Sequence, residues 1–223
     1  MLNTLRQDLE PHIIKRKFVE EKQRLICQGS HNEGPYILQS GWLMLTRLDD
    51  TGKRQVLKLV LPGEVFGFQP DIHGLAIYSA VTLTHCAICI IPSAFQLCST
   101  HPELAMRLAW VSASDLLLLE LYLEKISQHR ATERVAFMVL ELFRRLKQRN
   151  MNNGNTFQFP LRQEDIGDFL GLTNVHVNRT LHTLKEKGLF SISHHILTIH
   201  NYDALSNLVG KELKMYFACE VSP

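Results

Sequence analysis

The 223-residue chain reads as an α+β protein: a roll of short strands, one long helix, and a winged helix-turn-helix, in that order. Three observations carry that reading. From about residue 18 to 98, short apolar runs alternate with turn residues, the pattern of a sandwich or β-roll (jelly roll). At His101-Pro102-Glu103 the pattern changes to a continuous helical stretch reaching about Gln128. Residues 161–189, LRQEDIGDFLGLTNVHVNRTLHTLKEKGL, then hold two short amphipathic helices around a glycine turn.

The expected strands of the roll are 25–27, 36–38, 43–48, 55–61, 65–68, 78–83 and 87–91, separated by Gly29, Gly34, Gly41, Gly52, Gly63, Gly67 and Gly74. Asp49-Asp50-Thr51-Gly52 is a hairpin turn joining two of them. The long helix carries Leu104, Leu108, Val111, Leu118, Leu119 and Tyr122 near heptad spacing, and Leu116 to Leu119 with Leu121 make it apolar on more than one side. One stripe is expected to pack on the roll and another to form a dimer seam, rather than the whole helix being buried inside a monomer. A further helix covers about 131–149 with Val135, Met138, Val139, Leu142 and Leu146 inward. After a polar loop at 150–155, residues 156–160 form a short strand leading into the bihelical motif.

In that motif Ile166, Phe169 and Leu170 recur at helical spacing, Gly171 supplies the sharp turn, Leu172 plugs the corner and Thr173 caps the next helix. Val177, Leu181 and Leu184 form the buried stripe of that second helix, which sends Asn174, Asn178, Arg179, His182 and Lys185 outward. Such a helix fits a DNA major groove, where arginine grips guanine and asparagine grips adenine. Beyond Gly188, residues 190–193 and 196–199 alternate apolar with polar around His194-His195, a small hairpin that makes a wing. From Tyr202 onward a short amphipathic helix and a tail are expected.

The chemistry excludes several classes. No apolar run reaches membrane-span length, and the charged N-terminus MLNTLRQDLEPHIIKRK lacks the apolar core of a secretory signal. Five irregularly spaced cysteines argue against a disulfide framework, so a cytoplasmic protein is expected. From Gln128 onward there are 12 Lys+Arg against 9 Asp+Glu, whereas residues 1–100 hold 10 against 9; six of the eleven histidines also lie beyond Gln128. The basic surplus thus sits with the helix-turn-helix. No nucleophile elbow, phosphate-cradling glycine loop or zinc-protease helix occurs.

With these pieces in register, the chain resembles the CRP/FNR superfamily of bacterial transcription regulators over nearly its whole length. SGWLMLTRLDDTGKRQVLKLVLPGEVFG (40–67) is similar to the family's cyclic-nucleotide-binding-type roll. HPELAMRLAW and RATERVAFMVLEL resemble its central helix and the one after, and GLTNVHVNRTL (171–181) is the most specific piece. The VHVNRTL form resembles a branch whose effectors are mostly uncharacterised. The resemblance implies a homodimer bound to double-stranded DNA at a near-palindrome and acting with RNA polymerase, with a sensor roll at 1–100, a dimerisation helix at 101–128 and a DNA-binding domain at 129–223. It assigns no catalytic role. Arg179 matches the family's base-reading arginine, and Asn174 and Val175 occupy the two opening positions of the recognition helix. Familiar members have Glu where Val175 stands, so the half-site should differ, with a thymine methyl in place of a cytosine N4 contact. Thr173, His176 and Gln163 sit where phosphate contacts are usual, and Arg162 replaces a usual Ser or Thr, trading a cap for a further phosphate contact.

The sensor is less legible. Members that bind cyclic AMP use a Gly-Glu pair and an Arg-Ser pair; here stand Gly67-Phe68 and Gly74-Leu75-Ala76-Ile77-Tyr78-Ser79, without the Glu or the Arg. A buried phosphate without arginine lacks its main compensation, so cyclic AMP is not expected. An iron–sulfur cluster is not expected either: residues 1–26 contain no cysteine, and Cys86 and Cys89 in one strand point to opposite faces. Cys27, Cys86, Cys89 and Cys98 read as buried small hydrophobes, and His73, His85 and His101 as solvated rather than metal-bound. No cofactor is expected; a small-molecule effector, if the roll takes one, would meet Trp42, Gly63, Phe66, Gly67, Phe68 and Tyr78. The competing class is a ligand- or metal-binding, cupin-like roll enzyme whose C-terminal helices dock a partner.

Overall fold

The computed structural model describes residues 8–32, 34–68, 75–92 and 94–210. The chain forms two compact units, residues 1–117 and 118–223, with the boundary inside its longest helix.

In the first unit, a 3₁₀ turn at Glu10–His12 precedes strands β1 (Lys15–Val19), β2 (Arg24–Ile26), β3 (Tyr36–Ser40), β4 (Leu43–Leu48), β5 (Arg54–Val60), β6 (Val65–Phe66), β7 (Ser79–Thr82) and β8 (Cys86–Ile90), then helices α1 (Ala94–Thr100) and α2 (Pro102–Gln128). The strands make two four-stranded sheets, ordered β1-β8-β3-β6 and β2-β7-β4-β5, with antiparallel pairing throughout. Ile26, Leu38, Leu43, Leu45, Val60, Phe66, Tyr78 and Ile88 fill one core cluster with contributions from both sheets. Leu9, Ile37, Val65, Cys89, Ile91 and Leu97 form a second cluster together with Leu104 and Leu108 of α2. The 49–52 hairpin turn is present: Gly52 N–H donates to Asp49 O at 2.9 Å, with Gly52 left-handed (φ 79°). The Asp49 carboxylate accepts from Thr51 N–H, Thr51 Oγ1–H and Lys53 N–H at 2.9, 2.6 and 2.9 Å. Those bonds, the Thr51 hydroxyl first, hold its carboxyl below the ordinary value.

Two elements escape the sequence. Among the described residues β1 pairs only with β8, at the edge of its sheet, and its residues KRKFV are largely exposed, so no apolar face announces it. α1 is seven residues rich in Ser, Thr and Gln, too short for a periodic stripe. Cys86 and Cys89 do face opposite sides of their strand, one in each core cluster. Cys27, however, is exposed, and Cys98 is only half-buried, packed against the edge of the second cluster.

The expected dimer seam also needs correction. Leu104 and Leu108 are 2% and 8% exposed within their own unit, and Val111 packs against the same cluster. Tyr122 is buried in the second unit, its ring 4.8 Å from Phe137 and 4.7 Å from Phe169, with its hydroxyl 3.3 Å from Glu141 Oε2. Leu118 is half-buried and Leu119 exposed. The open apolar face of α2 is instead Met106, Trp110, Leu116, Leu117, Leu119 and Leu123. Among them Met106, Leu116 and Leu123, with the exposed Ala109 and Ala113, follow three–four heptad intervals.

The second unit holds the C-terminal part of α2, then α3 (Ala131–Lys147), β9 (Thr156–Gln158), α4 (Gln163–Leu170), α5 (Asn174–Glu186), β10 (Phe190–Ser193), β11 (Ile196–Ile199) and α6 (Tyr202–Asn207). The inward set of α3 is as expected, and Phe137, Leu140 and Phe143 are buried with it. The sheet order is β10-β11-β9, so the wing is stitched to the strand that precedes the bihelical motif. The tail beyond residue 210 lies outside the described residues. No helix among the described residues is long and apolar enough to cross a membrane.

Candidate nucleic-acid interface

The bihelical motif is fixed by local chemistry at each end of its helices. Arg162 occupies the N-cap of α4 with an extended backbone, and its N–H donates to Asp165 Oδ2 at 3.0 Å. This is the acidic half of a capping box, so Asp165 does the capping and the Arg162 side chain stays exposed. Gly171 ends α4 in the left-handed region (φ 65°, ψ 40°), and Leu172 N–H donates to Gly167 O at 2.9 Å. Thr173 then caps α5, its hydroxyl oxygen accepting from His176 N–H at 3.3 Å.

Two residues that hold the motif together were not apparent in the sequence. A Cβ at Gly167 would stand 2.7 Å from the Leu172 carbonyl oxygen, so only glycine fits between α4 and the turn. Arg134 of α3 donates from Nε to His129 O at 2.9 Å and from Nη1 to Leu170 O at 3.1 Å, satisfying a carbonyl at the end of α4. A helical glycine and one arginine among several carry no local signal of such a role.

Recognition helix α5 buries Val177 and Leu184 completely, with Leu181 only half-buried. Thr180, 6% exposed, takes the middle of the stripe that Leu181 was expected to hold; both lie within about 60° of 177 and 184 at about 100° per residue, and only tertiary packing chooses between them. All ten residues singled out in the sequence are exposed: Arg162, Gln163, Thr173, Asn174, Val175, His176, Asn178, Arg179, His182 and Lys185. Asn174, Val175, Asn178, Arg179 and His182 line a shallow open depression of about 480 Å³. Gln163 joins them through its Oε1, which accepts from Asn178 Nδ2–H at 3.3 Å. Arg162, Thr173, His176 and Lys185 lie outside the depression.

The electrostatics of the face suit an anionic ligand. His182 Nε2 lies 3.7 Å from Glu186 Oε1, but the Arg179 guanidinium forms no ion pair among the described residues. Val175, at 67% exposure, is an apolar side chain held out into solvent.

The candidate effector residues do not converge. Phe66 stacks on Tyr36 at 5.3 Å, and Gly67 N–H donates to Tyr78 Oη at 3.1 Å, so Phe66, Gly67 and Tyr78 meet within the first core cluster. Gly63 N–H donates to Leu38 O. Phe68 packs on the second cluster, and Trp42 lies beside Thr84 and Cys86. His85 pairs with Glu20 and His101 with Glu103; His73 lies outside the described residues.

Comparison with known proteins agrees with this geometry. Residues 16–97 match the cyclic nucleotide-binding domain, and residues 133–208 the Crp-like helix-turn-helix domain. The chain is 27% identical over 212 residues to the fumarate and nitrate reduction regulatory protein of Escherichia coli K12, covering 94% of this chain and 84% of that one. It is 31% identical over 162 residues to the nitrogen fixation regulation protein FixK of Azorhizobium caulinodans, covering 72% of this chain and 64% of that one. FixK2 from Bradyrhizobium japonicum shares the fold, with a TM-score of 0.78 at 22% identity over 88% of this chain and 98% of that one. These relatives are regulators rather than enzymes, and the chain belongs with them to the CRP/FNR family, as a DNA-binding transcription regulator.

Proposed function

We propose that the chain works as a homodimer on a near-palindromic operator, each α5 entering a major groove and the two half-sites lying one DNA turn, roughly 34 Å, apart. The observation that carries this is the α5 face itself: Asn174, Val175, Asn178 and Arg179 together on one open surface, with the arginine unneutralised. Arg179 reads guanine, Asn174 and Asn178 serve adenine or phosphate, and Val175 meets a thymine methyl. Arg162, Gln163, Thr173, His176, His182 and Lys185 hold the backbone. The apolar stripe of α2 around Leu116 and Leu123 forms the seam, and the dimer acts on transcription through RNA polymerase.

The roll is proposed to take a signal other than cyclic AMP or an iron–sulfur cluster. Gly67 N–H is already held by Tyr78 and Ser79 Oγ by Gln28 N–H, and Leu75 to Tyr78 bring no guanidinium. Cys86 and Cys89 diverge into separate cores. Those residues fit neither group.

The test is selection of duplexes from a random pool, followed by Arg179→Ala. The variant is expected to lose on the order of 1–3 kcal/mol of specific affinity and to relax one base-pair preference. An unchanged ratio of selected to scrambled binding refutes the assignment of Arg179 to base reading.

A further inference from the structure

The β10–β11 hairpin turns through two residues, His194 and His195, and both are left-handed, with φ of 49° and 60°. Positive φ at both positions is the backbone of a type I′ turn, which favours Asn-Gly; histidine is among the few other side chains that enter this region readily. Both side chains are exposed. The turn is clamped by the pairs Ser193↔Ile196 and Ile196↔Gln158, and His195 O accepts from Phe159 N–H at 2.7 Å. Phe159 lies three residues before Arg162, and the adjacent Gln163 bonds Asn178 of α5. The wing tip is thereby anchored to the buried segment 159–161 that leads into α4, whose exposed Gln163 reaches α5.

The second observation is electrostatic. Between Gly188 and Asp203 the chain carries no Asp, Glu, Lys or Arg; apart from Tyr202, its ionisable side chains there are His194, His195 and His200. His194 Nδ1 lies 3.0 Å from Ser193 Oγ, and His200 Nε2 lies 2.8 Å from Ser191 Oγ at the hairpin base. The neighbouring strand β9 presents Thr156, Phe157 and Gln158, none of them charged. The segment beyond it brings Arg162 and Glu164, both exposed, while Asp165 is committed to the Arg162 N–H. No ion pair reaches His194 or His195 among the described residues. Whatever positive charge this wing offers an anion must therefore come from imidazole.

We infer that the His194–His195 tip is a proton-dependent phosphate clamp, gripping the DNA backbone when the imidazoles are charged and releasing it when they are neutral. Histidine is the side chain whose charge changes between pH 5 and 8, and imidazolium presents two N–H donors to a phosphate. With Ser193 Oγ accepting from Nδ1–H, His194 keeps Nε2–H directed outward for a charge-assisted bond. Operator affinity then rises as pH falls. This inference rests on the DNA-binding reading and adds to it a contact and a means of regulation.

The experiment uses the full-length chain and a duplex it selects from a random pool at neutral pH, with binding measured by anisotropy across a salt series at about pH 6 and about pH 8. One phosphate per wing and two wings per dimer steepen the slope of log K against log salt by about 2 at the lower pH, at about 0.9 per contact. The variant His194→Asn/His195→Gly installs the favoured turn pair, so it is expected to melt no lower than wild type yet lose that steepening. The control His85→Gln, on the roll and away from every residue assigned to DNA, is expected to keep it. Full steepening in the wing variant overturns the clamp, and so does its disappearance in the control. If wild type binds no duplex at either pH, the DNA-binding reading falls together with the clamp.

Discussion

Replacing Gly167 by alanine tests whether the α4–turn corner is as tight as its geometry indicates. The new Cβ would lie 2.7 Å from the Leu172 carbonyl oxygen and 3.5 Å from Asn174 Oδ1, so the corner must open by about 0.7 Å to restore an ordinary contact. The turn cannot move freely, because Leu172 N–H is bonded to Gly167 O at 2.9 Å. Overpacking costs about 1–3 kcal/mol and loss of that hydrogen bond about 1 kcal/mol more. Alanine returns about 1 kcal/mol through helix propensity. The net expectation is destabilisation of roughly 1–3 kcal/mol, or about 5–20 °C in the melting of the 118–223 unit followed by calorimetry. Specific DNA affinity falls with it, since the corner sets the angle between α4 and the recognition helix. The sign is decisive. With room at the corner, propensity alone would make the variant more stable than wild type, and that result would refute the steric argument.

Charge placed on the open face of α2 should divide the dimer. Leu116→Glu/Leu123→Glu, at positions 58% and 65% exposed, is expected to yield a folded monomer by light scattering with weakened operator binding; a persistent dimer places the seam elsewhere. The Asp49 turn supplies a pH prediction. Because hydrogen bonds lower its carboxyl pKa in the folded state, its stabilising contribution is present above the ordinary carboxylate value and lost as pH falls through the folded one. An NMR titration should place the Asp49 midpoint below that of a peptide aspartate, and Thr51→Val should move it back up.

The helix-turn-helix was legible because every signal there is local: apolar spacing, a glycine at the left-handed C-cap, a threonine N-cap, and the wing strands, found at the expected residues. The roll was legible as a set of strands because its buried residues alternate or run together, as in β3, β4 and β8. What failed depended on which of two apolar faces meets which neighbour. Leu104, Leu108 and Tyr122 share helical spacing with Leu119 and Leu123, and only tertiary packing separates those turned into a core from those left open. Arg134 and Gly167 were invisible for a related reason: their partners, Leu170 O and Leu172 O, are backbone atoms that no side-chain pattern marks.

The open face of α2 has a spectroscopic consequence. The chain has two tryptophans, and both lie in the first unit: Trp42 is 1% exposed, whereas Trp110 stands 53% exposed on the helix's open apolar face. One indole is sealed from collisional quenchers and the other is accessible to them, so the two emissions can be separated without any label. The unit that carries the recognition helix has no tryptophan at all. Red-edge fluorescence of this protein would therefore report directly on association through the proposed α2 seam, and on DNA only through whatever DNA does to that helix.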